Sequence, residues 1–408
     1  MTTLTERRAV SDRSALRRVL ALSAESFAET HWGVQPLLST ARTPTPQGAQ
    51  AWPESTGFAD LFSFEAADEL LSVRGVRTPF LRIARNGDVV ASARFTRSGG
   101  VGANIGDQVD PDAVAREYAA GATIVFQALH RLWPPVIDFT TRLTAELGHP
   151  VQVNAYLTPS TAQGFTAHYD THDVFVLQVA GSKHWTIHRP VLELPAPDEP
   201  SDRRRDAIAA RATESAFLET DLVAGDALYL PRGWLHAARA GTEPTLHLTF
   251  GVHSLTRRDL FDAVVEEIRR DTVLRTSLPF GRLGDPDEDL RAVINVLHNA
   301  TADPELAAAA VTKKLARDTR PEPMRPLAQT RAATELTASS RVRLRRGLQL
   351  LGNQVVLPDR TVDVPSDDAG VILLTGEPTT VLDLPGDLGA NLDLVRRLLI
   401  EAVLVPAD

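Results

Sequence analysis

Three residues of this 408-residue chain have the types and spacing to hold a metal ion. His168 and Asp170 stand two apart in Gly164-Phe165-Thr166-Ala167-His168-Tyr169-Asp170, and in a strand such positions share a face, about 7 Å apart along it. A third donor, His236, ends the stretch Gly225-Asp226-Ala227-Leu228-Tyr229-Leu230-Pro231-Arg232-Gly233-Trp234-Leu235-His236. There a Gly-Asp turn, a short strand and a Pro-x-Gly turn deliver the ring at a fixed place. Two neutral imidazoles and one carboxylate on one side of a metal leave the other side open, the facial arrangement of non-haem Fe(II) oxygenases. His172 would share the face of His168 and Asp170 if the strand continued, but a fourth protein ligand would fill the position oxygen needs, and a turn is expected there. His184, His188 and His253 are read as ordinary strand or surface histidines.

A lone His-x-Asp is weak; the surrounding order of residues is specific. Gly225, five residues, Pro231-x-Gly233, two residues and His236 follow the second signature of the cupin barrel. Asn154-Ala155-Tyr156-Leu157-Thr158-Pro159, Gln163-Gly164-Phe165, His168-Tyr169-Asp170, Asp173-Val174-Phe175, Gln178 and Gly181-Ser182-Lys183-His184-Trp185 resemble the JmjC-type ribosomal oxygenases of the cupin superfamily, in a bacterial form, over about 154–251. Those are Fe(II)- and 2-oxoglutarate-dependent hydroxylases of protein side chains. The resemblance implies that His168, Asp170 and His236 bind iron and that Lys183 binds the distal carboxylate of 2-oxoglutarate. Asn154 and Tyr156 then line the substrate pocket, and Asp173 accepts a hydrogen bond that orients a ligand. His247 and Thr249 share a face in Leu246-His247-Leu248-Thr249-Phe250 and are placed inward as co-substrate contacts; for His247, a satisfied core histidine is the alternative.

Composition bears on Lys183 independently. Lys183, Lys313 and Lys314 are the only lysines among 43 basic residues. A lysine inside an apolar strand pattern is either on an exposed edge or a point charge that pairs with a carboxylate inside the barrel. The absence of cysteine excludes disulfides, thiolate catalysis and cysteine-ligated zinc or iron–sulfur sites. Residues 1–30 are charged and amphipathic, without a signal peptide's long apolar core, and no segment approaches the ~18 apolar residues of a membrane span. A cytoplasmic protein without membrane contact is expected. Residues 312–346 hold ten Lys or Arg against three acids, a strip that either docks an acidic partner or RNA or simply faces solvent. The net charge of -9 argues against direct nucleic-acid binding.

Positioning such a site requires a barrel. Alternating apolar residues predict strands over 151–157, 166–170, 174–179, 184–188, 220–223, 227–230 and 245–252, a two-sheet jelly roll. Before it, 27–38 resembles the family's entry segment, with a helix end packing Trp32 as the alternative. The loop 41–55, a helix over 62–73, a hairpin turning at Asn86-Gly87, a helix over 110–118, a strand over 122–126 and a helix over 129–147 follow. The insertion 189–219 reads as a solvated loop with a short helix, or as a cover over the site. The chain exceeds one ordinary core. The reading divides it into a mostly β catalytic domain over 1–254, a double-stranded β-helix or cupin jelly roll. An α-helical module follows over 255–325 and a small α+β, winged-helix-like domain over 326–408. The helical module resembles the family's dimerisation module and implies a homodimer; a packing layer without an oligomer is the alternative.

The implied activity is hydroxylation of a protein or peptide side chain, a ribosomal protein favoured, with Fe(II), 2-oxoglutarate and O2. Val125 stands where some relatives carry an arginine that helps hold substrate. That departure supports a second reading, a hydroxylase of a small molecule or peptide natural product. A metal-binding cupin without turnover is a third, and demethylation of N-methyl-lysine is a variant of the same chemistry.

Overall fold

The structure, a computed structural model, describes residues 14–40, 57–85, 87–160, 162, 166–278, 280 and 286–407. The start of the amphipathic segment, the loop 41–55, Asn86 of the hairpin, and Gln163, Gly164 and Phe165 lie outside them. The chain forms two compact units, Met1–Leu147 with Val151–Ser254, and Gly148–Pro150 with Leu255–Asp408.

In the first unit, period-2 patterning builds two antiparallel sheets. In Val151–Thr158, Val153, Ala155 and Leu157 join the outer core while Asn154, Tyr156 and Thr158 face the opposite way. The larger sheet runs, in spatial order, Leu37–Ser39, Ala227–Leu230, Asp173–Ala180, Thr245–Val252, Val151–Thr158, Thr123–Phe126, Leu81–Arg85 and Asp88–Val89; the smaller runs Leu218–Val223, Ser182–His188 and Leu235–Ala240. Helix Pro134–Leu147 buries Val136, Phe139 and Leu143 in the outer core. Between the sheets, Val174, Val176, Leu228 and Leu230 meet Trp185, Ile187, Leu222 and Trp234, the filled end of a jelly roll. The short Leu37–Ser39 strand closes one edge of the larger sheet against Ala227–Leu230, and Phe27 and Trp32 pack on Tyr229 with ring centroids 4.8 and 5.9 Å away.

Two expectations change. The 166–170 strand is absent: the segment is irregular and joins Leu235–Ala240 through one bridge, His168 with His236. The facing chain cannot extend a ladder, because Pro231 lacks an N–H and Gly233 adopts φ +87°. Leu235–Ala240, the strand that carries His236, follows directly after that turn. The expected 129–147 helix is a 3-10 turn, Leu129–Arg131, followed by Pro134–Leu147, since Pro134 and Pro135 can begin a helix but not continue one.

In the second unit, Thr256 and Asp259 form a capping box at the start of Arg257–Ile268, which packs with Pro286–Ala302 and Pro304–Asp318. Helices Pro326–Thr334, Asp368–Leu374 and Leu388–Ile400 join two three-stranded sheets around Val342, Val355, Leu373, Val395 and Leu398. Much of the basic strip is consumed internally. Arg343 forks onto the Glu322 carboxylate at 2.7 and 3.0 Å, Arg345 donates to the Glu322 carbonyl, and Lys313 pairs with Glu267.

Candidate metal centre

His168, Asp170 and His236 converge, with one donor atom from each lying within 4.8 Å of the others. The two histidines exchange backbone hydrogen bonds, His236 N to His168 O at 2.8 Å and the reverse at 3.1 Å. Each ring is oriented through Nδ1, which faces the Thr166 carbonyl at 2.8 Å in His168 and the Trp234 carbonyl at 3.1 Å in His236. With Nδ1–H donating, Nε2 presents its lone pair inward. Asp170 Oδ2 lies 3.7 Å from His236 Nε2. Burial, with the neighbouring His168 charge, pushes His236 down to about 4. Burial raises Asp170, but His236, His172 and His168 outweigh it and hold the carboxylate below its ordinary value. At neutral pH His236 is therefore a neutral imidazole beside an anionic carboxylate, and two imidazoles with one carboxylate are a donor set that fits a divalent ion such as Fe(II).

Further into the barrel sits Lys183, 4% exposed, its Nζ 3.4 Å from Thr158 Oγ1. No acid lies within ion-pairing distance of it among the described residues, and burial pushes it down to about 7. Around it, His247 Nδ1 and Trp185 Nε1 are buried without hydrogen-bond partners. Burial, then the Lys183 charge, holds His247 well below its ordinary value, so it stays neutral and stacks on Tyr156 at 4.8 Å. A buried lysine near the unsatisfied Trp185 N–H and His247 Nδ1 fits an anionic, oxygen-rich co-substrate such as 2-oxoglutarate.

Tyr156, expected at the substrate pocket, lies in one cross-strand row of the larger sheet. Arg82 is paired opposite Val125, Val125 opposite Tyr156, Tyr156 opposite His247, and His247 opposite Gln178; directly opposed residues point to the same face. Tyr156 is pushed up to about 12 by burial and the Asp170 charge, against the pull of Arg82. Its phenol is thus within electrostatic reach of both the Asp170 carboxylate and the Arg82 guanidinium. Sequence reasoning missed Arg82, because only the pairing of Leu81–Arg85 with Thr123–Phe126 puts it beside the vacant arginine position at Val125. Asn154, expected in the substrate pocket, also accepts the Ala128 N–H at 3.1 Å, where the chain takes φ 53°. Thr249 lies opposite Asn154 and Val176.

One assignment is corrected, and the exclusion of His172 from the ligand set agrees with the donor group. Asp173 touches neither ligand imidazole, both of which already use backbone carbonyls. Its carboxylate accepts the Arg232 N–H at 2.8 Å and the Ser254 hydroxyl, fixing the turn that leads to His236. His172 stays out of the donor group and stacks on His253 at 5.1 Å. Of the other histidines, His184 pairs with Asp221 at 2.8 Å and His188 is buried.

Residues 135–260 match the family model described as JmjC domain. Among curated proteins, the chain is 27% identical over 279 residues to the bifunctional lysine-specific demethylase and histidyl-hydroxylase NO66 of Drosophila pseudoobscura pseudoobscura, covering 66% of this chain and 27% of that protein. It is 31% identical over 204 residues to ribosomal oxygenase 1 of Rattus norvegicus, covering 48% and 32%, and 29% identical to that of Gallus gallus, covering 65% and 42%. The chain thus spans well under half the length of these relatives. Among solved structures, YcfD, a ribosomal oxygenase from Escherichia coli, in complex with cobalt and 2-oxoglutarate, superposes with a TM-score of 0.57 at 15% identity over 96% of this chain and 99% of that one. Another structure of E. coli YcfD gives 0.59 at 16% identity. The fold is shared along the chain.

Proposed function

Because residues 135–260 are a JmjC domain and the chain shares its fold with the YcfD oxygenase, we propose that this protein is an Fe(II)- and 2-oxoglutarate-dependent oxygenase that hydroxylates a protein side chain, a ribosomal protein favoured. The observation that carries the reading is the convergence of His168, Asp170 and His236 in one barrel with a buried lysine that no acid among the described residues pairs with. When bound, iron with 2-oxoglutarate and O2 supplies the oxidising power, so that R–H, O2 and the keto acid leave as R–OH, succinate and CO2. The imidazoles of His168 and His236 and the Asp170 carboxylate hold the ion. Lys183, with the Thr158 hydroxyl, takes the distal carboxylate, and His247 and Thr249 flank it. Asn154, Tyr156 and Arg82 face the substrate, and Trp185 and Trp234 help exclude water. A small-molecule substrate is the second reading, favoured by the apolar Val125; Arg82 on the same face restores a cation there and favours the protein.

No helix among the described residues is long and apolar enough to cross a membrane, and we place the protein in the cytoplasm. Phe261, Leu290 and Ile294 are 56%, 57% and 50% exposed on the helices of the second unit, an apolar surface suited to a second copy of the chain. The test is succinate formation when O2 is admitted to anaerobic, Fe(II)-loaded protein. Turnover should vanish in His168→Ala and require far more 2-oxoglutarate in Lys183→Ala. If neither succinate formation nor 2-oxoglutarate binding is seen, the metal-binding cupin without turnover replaces this reading.

A further inference from the structure

We propose that the 189–217 segment, which links the strands Ser182–His188 and Leu218–Val223, is a brace that sets the geometry of the metal triad, with Tyr169 and Ile208 as its positioning residues. The inference rests on the metal-centre reading above. The triad comes from two segments that meet in a single bridge, with an irregular stretch on one side and a turn on the other. The bridge's two backbone hydrogen bonds, with one more from Gly233 N–H to the Asp170 carbonyl at 3.0 Å, fix the backbone and leave the side chains of three donors to be held by packing to the ~0.5 Å that a working constellation needs.

The inserted segment grips both from outside. Tyr169, between His168 and Asp170, is 2% exposed and donates its hydroxyl to the Glu199 carbonyl at 2.9 Å. Ile208, on the helix Arg205–Arg211, is buried in a cluster with Tyr169 and Leu235, the residue just before His236. Gly233 is so close to the segment that a Cβ there would lie 2.5 Å from the Leu192 carbonyl. Phe217 packs edge-on against Trp234 at 4.8 Å, and the Trp234 carbonyl is the one that orients His236 Nδ1. Tyr169, Gly233, Trp234 and Leu235 thus each meet the 189–217 segment. The segment supports the ligands without contributing one.

The test is Co(II) binding to the full chain, read as the dissociation constant and as the position and intensity of the cobalt visible absorption band. Tyr169→Phe and Ile208→Ala should weaken Co(II) about 10- to 100-fold, the usual cost of losing a partner that orients a ligand, and should shift the band. Ile83→Ala, a cavity in the outer core of the same unit, provides the comparison at matched loss of thermal stability and should leave both readouts alone. If Ile208→Ala fails to fold, Tyr169→Phe, which loses one oxygen, decides alone. Wild-type affinity and band in Tyr169→Phe and in any folded Ile208→Ala, or an equal change in Ile83→Ala, overturns the brace. Wild-type protein that binds no Co(II) overturns the metal centre itself, a failure seen before any variant is compared.

Discussion

Replacing Lys183 tests the active-site reading quantitatively. Its ammonium is 4% exposed, and burial alone takes its pKa from 10.5 to about 7. A carboxylate brought against it forms a charge-assisted bond worth about 1.5–3 kcal/mol, so Lys183→Ala should raise the 2-oxoglutarate dissociation constant ~10- to 150-fold. The same shift imposes a pH dependence. Above pH 7 the free lysine is mostly neutral and must take up a proton to bind the anion, so affinity should fall about 10-fold between pH 6 and pH 8 and about 100-fold by pH 9. His236, at about 4, titrates below this window. Anaerobic calorimetry on Co(II)-loaded protein, in two buffers of different ionisation enthalpy, reads affinity and proton uptake together. A flat dissociation constant from pH 6 to 9, or a slope that survives in Lys183→Met, would refute the assignment. Stability should move in the opposite sense. The folded pKa lies below the unfolded one, so the unfolded chain holds the extra proton between about pH 7 and 10. The protein without co-substrate should then gain up to about 1.4 kcal/mol per pH unit across that window, with the full penalty present below pH 7. Lys183→Met should abolish the slope.

His236→Ala should abolish stoichiometric Co(II) binding, as read by equilibrium dialysis, because it leaves only two donors. Asp173→Ala should cost about 2–4 kcal/mol in urea unfolding, since it strips the acceptor from the Arg232 N–H and the Ser254 hydroxyl in a buried site; an unchanged midpoint would show that the turn before His236 does not depend on it. Arg82→Gln should raise KM for a hydroxylated peptide ~10-fold or more with a smaller change in kcat, the mark of a recognition contact. Phe261→Asp should shift the sedimentation coefficient from that of a dimer to that of a monomer if the apolar face of the helical module joins two copies.

The chemistry was more legible in the sequence than the geometry that holds it. His168, Asp170 and His236 could be picked out because their types and intervals constrain what they can do, and the jelly roll because its strands keep period-2 patterning. Lys183 stood out because arginine is the chain's usual cation. Other features were hidden because they depend on pairing between distant segments. Arg82 acquires its meaning only when Leu81–Arg85 lies beside Thr123–Phe126. The missing 166–170 ladder follows from the conformation of Gly233 on the opposing chain, and the grip of 189–217 from Tyr169 and Ile208, whose positions in sequence give no hint that they touch. The basic strip could be read either as a docking surface or as a solvent-facing run, because a charge count cannot see Glu322 gathering its arginines.

The edge strand Leu37–Ser39 has a consequence for how the protein is made. Its partner is Ala227–Leu230, so once Leu37 has been synthesised the ribosome must add about 190 more residues, roughly 10–40 s at 5–20 residues per second, before the pair can form. Until then Phe27 and Trp32 lack Tyr229, and afterwards an unpaired Ala-Leu-Tyr-Leu edge would invite association with other chains if the early segment had been lost to a protease or captured elsewhere. Yield of soluble protein in the cell should therefore depend on chaperone supply and translation speed more than the stability of the finished barrel would suggest.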